Sequence, residues 1–249
     1  MIVASMPSTG ATQPAQARAS PTFRDDIAQR TLACTGCHGA EGRAATDGYY
    51  PRIAGKPAGY LFAQLRHFRD RRRSYPLMSH LVQHLTDDYL REIADHFASL
   101  ELPYAAPAPV AASADQLARG RSLALDGDPS RRLPACAACH GHALTGVSPA
   151  IPGLLGLPRD YLNAQFGAWR IGQRQADAPD CMAEISRRMS ADDVAAVSGW
   201  LAAQPMPANP KPANPKTTNA GPPNGGPTSA ASDAARSDPS LACGGVPGP

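Results

Sequence analysis

The sequence predicts an all-α fold of two tandem, duplicated domains, and three observations carry that expectation. First, YPRIAGKPAGYLFAQLRHFRDRRR (50–73) lies over IPGLLGLPRDYLNAQFGAWRIGQR (151–174) without a gap, with nine of 24 positions identical. A repeat on this scale makes each half one structural unit. Second, helix-start signals recur at matched places in the two halves. Third, no run alternates apolar and polar residues in the two-residue period of a strand.

Taken in order, residues 1–21 read as a leader remnant or an unordered N-terminus. They lack a basic n-region and their apolar run is short, although Ala15-Gln16-Ala17 resembles a cleavage site. FRDDIAQRTLACTGCH (23–38) and SADQLARGRSLALD (113–126) approach two cysteine-rich motifs as short helices. Pro57 starts a helix through about Arg73, and Pro158 does the same in the second half, because proline suits the first helical turn. Thr86 and Ser190 are natural N-caps, each followed by aspartates that complement the positive helix end. After Thr86, the residues Tyr89, Leu90, Ile93, Ala94 and Phe97 share one face, the spacing of a buried helix. The expected units are 22–104 and 113–204, joined by a stiff Pro/Ala linker at 105–112. Residues 205–249 hold eleven prolines and no aromatic residue, a composition that cannot offset its ordering entropy, so an unordered tail is expected.

The 24 basic and 21 acidic side chains leave a net charge of +3, which makes no case for a nucleic-acid partner. No segment approaches the ~20 apolar residues that would span a bilayer.

ACTGCHGAEG (33–42) and ACAACHGHAL (135–144) each contain Cys-x-x-Cys-His, with the first cysteines 102 residues apart. Zinc needs four converging ligands, whereas each motif crowds three into five residues. A redox dithiol has no use for the histidine. Covalent haem c explains the whole arrangement: two thiols on one turn add to the haem vinyl groups, and the next residue places its imidazole at the iron. The sequence therefore predicts two covalently bound haem c groups, tethered by Cys34 and Cys37 and by Cys136 and Cys139, with His38 and His140 as axial ligands.

For the sixth ligand, the second half offers Met182, Met189 and Met206, since His142 lies too close to its motif to reach the opposite face. The first half has one methionine after its motif, Met78, and the repeat sets it over Met182. The separations agree: 40 residues from His38 to Met78 and 42 from His140 to Met182. Both irons are therefore expected to be His/Met, with Met189 in the core. His67, His80, His84 and His96 have no histidine counterpart in the second half, which argues against them as ligands. A ligand imidazole usually donates its other N–H to a carbonyl. Pro51, 13 residues after His38, and Pro152, 12 after His140, are placed to offer one; an ordinary loop proline is the alternative reading.

The arginines of RHFRDRRR (66–73) read first as a solvated helix face, with propionate pairing or an acidic partner's docking patch as alternatives. Cys181 and Cys243 remain after haem attachment and are expected as free thiols, although an oxidising compartment permits them to pair.

These residues resemble the class I cytochromes c, and specifically the dihaem cytochrome c4 family. LPACAACHG (133–141), the two repeat segments and the methionine-to-last-helix segments carry the resemblance over roughly residues 22–204. It implies two class I domains related by a pseudo-two-fold axis, His/Met ligation at both haems, and Pro51 and Pro152 as carbonyl donors to the histidines. It also implies a periplasmic electron carrier rather than an enzyme. The donor would be a quinol–cytochrome c reductase or a dehydrogenase, and the acceptor a terminal oxidase. Peripheral association with a membrane needs no spanning segment. A six-coordinate His/Met iron leaves no position for substrate and has a raised potential. Two rival readings are a cytochrome subunit of a dehydrogenase or oxidase complex, and a dihaem peroxidase with one displaceable ligand. The 45-residue tail and Cys181 directly before Met182 depart from the family pattern.

Overall fold

Matched start signals produce matched helices. The structure, a computed structural model, describes residues 25–45, 48–208, 210–214 and 243–244. The expectation for residues 1–21 and most of that for the tail lie outside them.

In the first half, α1 (Ile27–Arg30) and α2 (Leu32–His38) divide what the sequence suggested as one run. Asp26 caps α1, and Thr31 ends it by donating its hydroxyl back to Ile27 O at 2.9 Å. Next come α3 (Ala58–Arg69), α4 (Pro76–Val82) and α5 (Asp87–Ser99). Pro57 sits just outside α3, and α3 stops four residues short of Arg73 because Arg71 adopts a φ of 58°. Thr86 caps α5, which buries Leu90, Ile93, Ala94 and Phe97 as expected. These pack with Leu61, Phe68 and Val82 into the first core.

The second half repeats the plan with α6 (Ala114–Leu125), α7 (Cys136–His140), α8 (Arg159–Arg170), α9 (Cys181–Arg188) and α10 (Ala191–Ala203). Ser113 and Ser190 each form a capping box, with Gln116 and Asp193 respectively. Leu123, Leu155, Leu162, Phe166, Val197 and Leu201 form its core. Between α7 and α8 lies a small antiparallel pair, β1 (Gly146–Val147) and β2 (Ile151–Pro152). Two-residue strands are too short to leave an alternating pattern, which is why the sequence did not announce them. The molecule is helix-rich, as expected, with this one small sheet among the described residues.

The halves meet about a pseudo-two-fold relation. Arg73 and Arg174, equivalent in the repeat, pair as an antiparallel bridge. Ser74 N donates to Gln173 O at 2.6 Å, and Gln175 N to Arg72 O at 2.8 Å. The arginine cluster is consequently not a solvated face. Arg66 pairs with Asp177 at 2.6 Å across the halves, Arg69 with Asp87 at 2.6 Å, and Arg73 enters the interface.

Two further expectations need correction. The start of the tail is structured: Met206 packs against the second core, and Ala213 N donates to Gly146 O at 2.9 Å while its carbonyl accepts from Ser148 N. A free β1 edge and an apolar contact compensate the ordering that composition alone argued against. Cys181 and Cys243 are also not free thiols; they form a disulfide with a Cα–Cα separation of 5.5 Å. Gly244 N donates to Pro179 O at 2.9 Å and holds the same strand of tail in place, a contact that residue spacing cannot reveal. Among the described residues, no helix is long and apolar enough to cross a membrane.

Candidate functional site

Each Cys-x-x-Cys-His motif forms one helical turn that ends at its histidine. Gly39 and Gly141 follow with φ of 77° and 82°, and this left-handed turn sends the chain back over the motif. A Cβ on Gly39 would stand 2.2 Å from Ala44 O, so only glycine fits there.

His38 and His140 are buried, 8% and 9% exposed. His38 Nδ1 lies 2.8 Å from Pro51 O, and His140 Nδ1 lies 2.7 Å from Pro152 O. A carbonyl can only accept, so Nδ1 carries the proton and Nε2 keeps its lone pair. Burial lowers the pKa of both rings against the raising effect of these carbonyls, which favours the neutral form a metal requires. Both prolines thus occupy the role that spacing suggested.

Cys34, Cys37, Cys136 and Cys139 share no disulfide. Burial pushes the Cys34 and Cys139 thiols up and that of Cys136 up to about 11. Among the described residues, no three His, Cys, Asp or Glu side chains gather as a metal cluster.

Met78 and Met182 both lie in the first turn of a helix, α4 and α9, half-buried against the core of their own half. Met189 is 6% exposed within the second core, the packing role expected of it. His67 is buried with its Nε2 3.4 Å from Asp177, while His80 and His84 are exposed.

Between the two histidine sites lies a polar cluster that sequence reasoning did not assemble. Arg73 donates to Gln64 Oε1 at 2.9 Å, to Gln165 Oε1 at 2.8 Å and to Tyr161 Oη at 3.2 Å. Arg174 mirrors it, donating to Gln165 Oε1 at 2.7 Å, Gln64 Oε1 at 3.1 Å and Tyr60 Oη at 3.2 Å. Arg73 also stacks over Phe68 at 4.6 Å and Arg174 over Trp169 at 3.9 Å. The signal was present: Tyr60/Tyr161, Gln64/Gln165 and Arg73/Arg174 are three of the nine identical pairs. Large polar residues identical in both halves, along one helix and in the turn that follows it, mark a contact that each half makes with the other.

Lys56 adds a third cation, 6% exposed, with Nζ 3.3 Å from Gly153 O. Among the described residues, no carboxylate pairs with Lys56, Arg73 or Arg174. Trp169 Nε1 is buried without an acceptor. Three sheltered cations with no carboxylate beside them suit anionic groups, and the stranded indole N–H suits an acceptor. The two carboxylates of each haem are anions of that kind, so both the donor set and the interface fit the group that the cysteines would tether.

No family model matches the chain. It is 39% identical over 173 residues to a thiosulfate dehydrogenase electron acceptor of Thiomonas intermedia, covering 70% of this chain and 79% of that one. It is 41% identical to the protein of the same name from Stutzerimonas stutzeri, covering 69% and 78%. It is 30% identical to cytochrome c4 of Pseudomonas aeruginosa, covering 69% and 84%. Among solved structures, it resembles thiosulfate dehydrogenase (TsdBA) of Marichromatium purpuratum with a TM-score of 0.63 and 35% identity; the match covers 70% of this chain and 36% of that longer one. It also resembles cytochrome c4 of Acidithiobacillus ferrooxidans, with a TM-score of 0.59, 25% identity, and coverage of 70% and 99%.

Proposed function

The chain belongs to the dihaem cytochrome c4 family, and on that premise we propose that it accepts electrons from a thiosulfate dehydrogenase in the periplasm and hands them to a respiratory acceptor. The family relation makes it an electron carrier with two covalently bound haem c groups. The more specific donor is supported by identity: 39% and 41% to two thiosulfate dehydrogenase electron acceptors, against 30% and 31% to two cytochromes c4. The thiosulfate dehydrogenase (TsdBA) chain contains a region similar to this one, which supports the same reading.

Bound haem supplies a reversible one-electron couple. Cys34 and Cys37 would tether the first and Cys136 and Cys139 the second, each by thioether bonds that hold the group however often its charge changes. His38 and His140, fixed by Pro51 and Pro152, present a neutral nitrogen in one orientation. Met78 and Met182 are proposed as the opposite ligands, supported by their matched first-turn positions and by Met189 being used in the core. The Arg73–Arg174 cluster would draw the carboxylates of both groups to one interface and keep the two redox centres close. Two centres let one molecule receive two electrons in succession.

The test is anaerobic mixing of the oxidised dihaem protein with thiosulfate and a catalytic amount of thiosulfate dehydrogenase. Rapid reduction of both haems, dependent on enzyme and substrate together, is the expected result. No reduction under these conditions, with full reduction by a quinol–cytochrome c reductase, would replace the donor while leaving the carrier role intact.

A further inference from the structure

The two methionines are matched by the repeat, but the chain reaches them differently. Met78 lies five positions after Arg73, whereas Met182 lies eight positions after Arg174. The longer loop reaches the first half, where its Asp177 accepts from Arg66 at 2.6 Å and stands 3.4 Å from His67 Nε2. Asp180 then accepts from Ala176 N at 2.7 Å and from Ala183 N at 3.0 Å, which closes the loop onto the start of α9. The tail holds the same loop from another side. Gly244 N donates to Pro179 O, and Cys243 is bonded to Cys181, the first residue of α9 and the neighbour of Met182. The corresponding residue of the first half is Leu77, 57% exposed, which can form no such bond. Met78 takes its first-turn position without a covalent tie, so the turn itself does not need one. Cys181 and Cys243 are each only half-buried, within reach of a small thiol.

We propose that the Cys181–Cys243 bond is a thiol-operated latch on the second site alone. Closed, it keeps Met182 as the ligand of the second iron. Opened by a dithiol, it lets a small exogenous ligand replace Met182 there, while the first site stays shut. In the opening step, one thiolate of the dithiol attacks a sulfur of the bond and forms a mixed disulfide, and its second thiolate then displaces the remaining protein sulfur. The dithiol loses two electrons and two protons, and Cys181 and Cys243 gain them as thiols. The iron takes no part in that exchange. An incoming ligand binds only those molecules in which the methionine is off, so its apparent affinity follows that fraction. The proposal rests on Met182 being the ligand of the second haem and is independent of the donor.

The test uses the full-length dihaem protein. It is exposed to dithiothreitol without denaturant, alkylated, and returned to the ferric state with ferricyanide, and mass spectrometry locates the alkyl groups. Imidazole is then titrated against the far-red absorbance of the methionine–iron bonds. Alkylation at both Cys181 and Cys243 is expected, with half of the absorbance lost at about a tenth of the imidazole concentration needed before treatment. The other half should not move. Cys243→Ser should show the same labile half without treatment, and adding Met182→Ala should remove that half. In protein left unalkylated, reclosing the bond with oxidised glutathione should restore the original affinity, a reversal that a merely destabilised variant would not show. A folded protein that dithiothreitol leaves unalkylated would overturn the proposal even if no variant folds. So would an opened bond with imidazole affinity unchanged, or changed equally at both haems. Far-red absorbance left whole by Met182→Ala would instead overturn the assignment of that ligand.

Discussion

A neutral imidazole with Nδ1 committed to a proline carbonyl presents its Nε2 lone pair in one orientation, as a metal ligand must. His38 and His140 are both in that state, and each was readable because the histidine belongs to a five-residue motif and the proline follows at nearly constant spacing. Met78 and Met182 were readable only through the duplication, since a half-buried methionine is otherwise core filler. If they complete the coordination, Met182→Ala should leave one haem per molecule that binds carbon monoxide when reduced, and Met78→Ala should do the same at the other. A visible-absorbance titration with the gas would read half of the total haem responding in each case. A wild-type response would instead favour the peroxidase reading, in which one position is already displaceable. Lys56 was illegible at this scale: a single lysine in a loop announces neither burial nor the half it will face.

Helix ends were the clearest elements. Thr86, Ser113 and Ser190 all cap as their residue types require, and the apolar face after Thr86 is the buried one. Their interiors conceal a finer constraint. Gly120 lies where α6 crosses α10, and a Cβ there would stand 2.2 Å from Ala196 O and 2.8 Å from Trp200 Cβ. Gly120→Ala must push the helices apart, and it should cost about 2 kcal/mol despite alanine's better helix propensity. Chemical denaturation of the holoprotein would measure this; a gain in stability would mean that the crossing is looser than it looks. Sequence alone predicts the opposite sign, because propensity is local and the clash is between segments 76 residues apart.

At the scale of the whole molecule, the described tail residues Met206, Ala213, Cys243 and Gly244 contact the second half. The disulfide closes a separation of 62 residues from Cys181 to Cys243, and on a chain-entropy account it contributes about 4 kcal/mol. Cys243→Ser should therefore lower the unfolding midpoint. Because Cys181 directly precedes Met182, it should also increase protease cleavage around 176–182, as mapped by mass spectrometry of limited digests. An unchanged midpoint and digest would show that the bond holds only the tail.

The sequence by itself determined the duplication, the all-α plan, both Cys-x-x-Cys-His turns and the histidines with their carbonyl partners. Each of these is written in short-range spacing or in the comparison of one half with the other. Tertiary structure decided what lies between the halves. It turned an apparently solvated arginine run into a two-fold network of Arg73 and Arg174, drew Lys56 toward one site only, and joined Cys181 to a tail that composition left unordered. The physical reason is the same in each case: burying a charge or ordering a flexible segment is unfavourable in isolation, and only the partner brought by the fold reverses the sign.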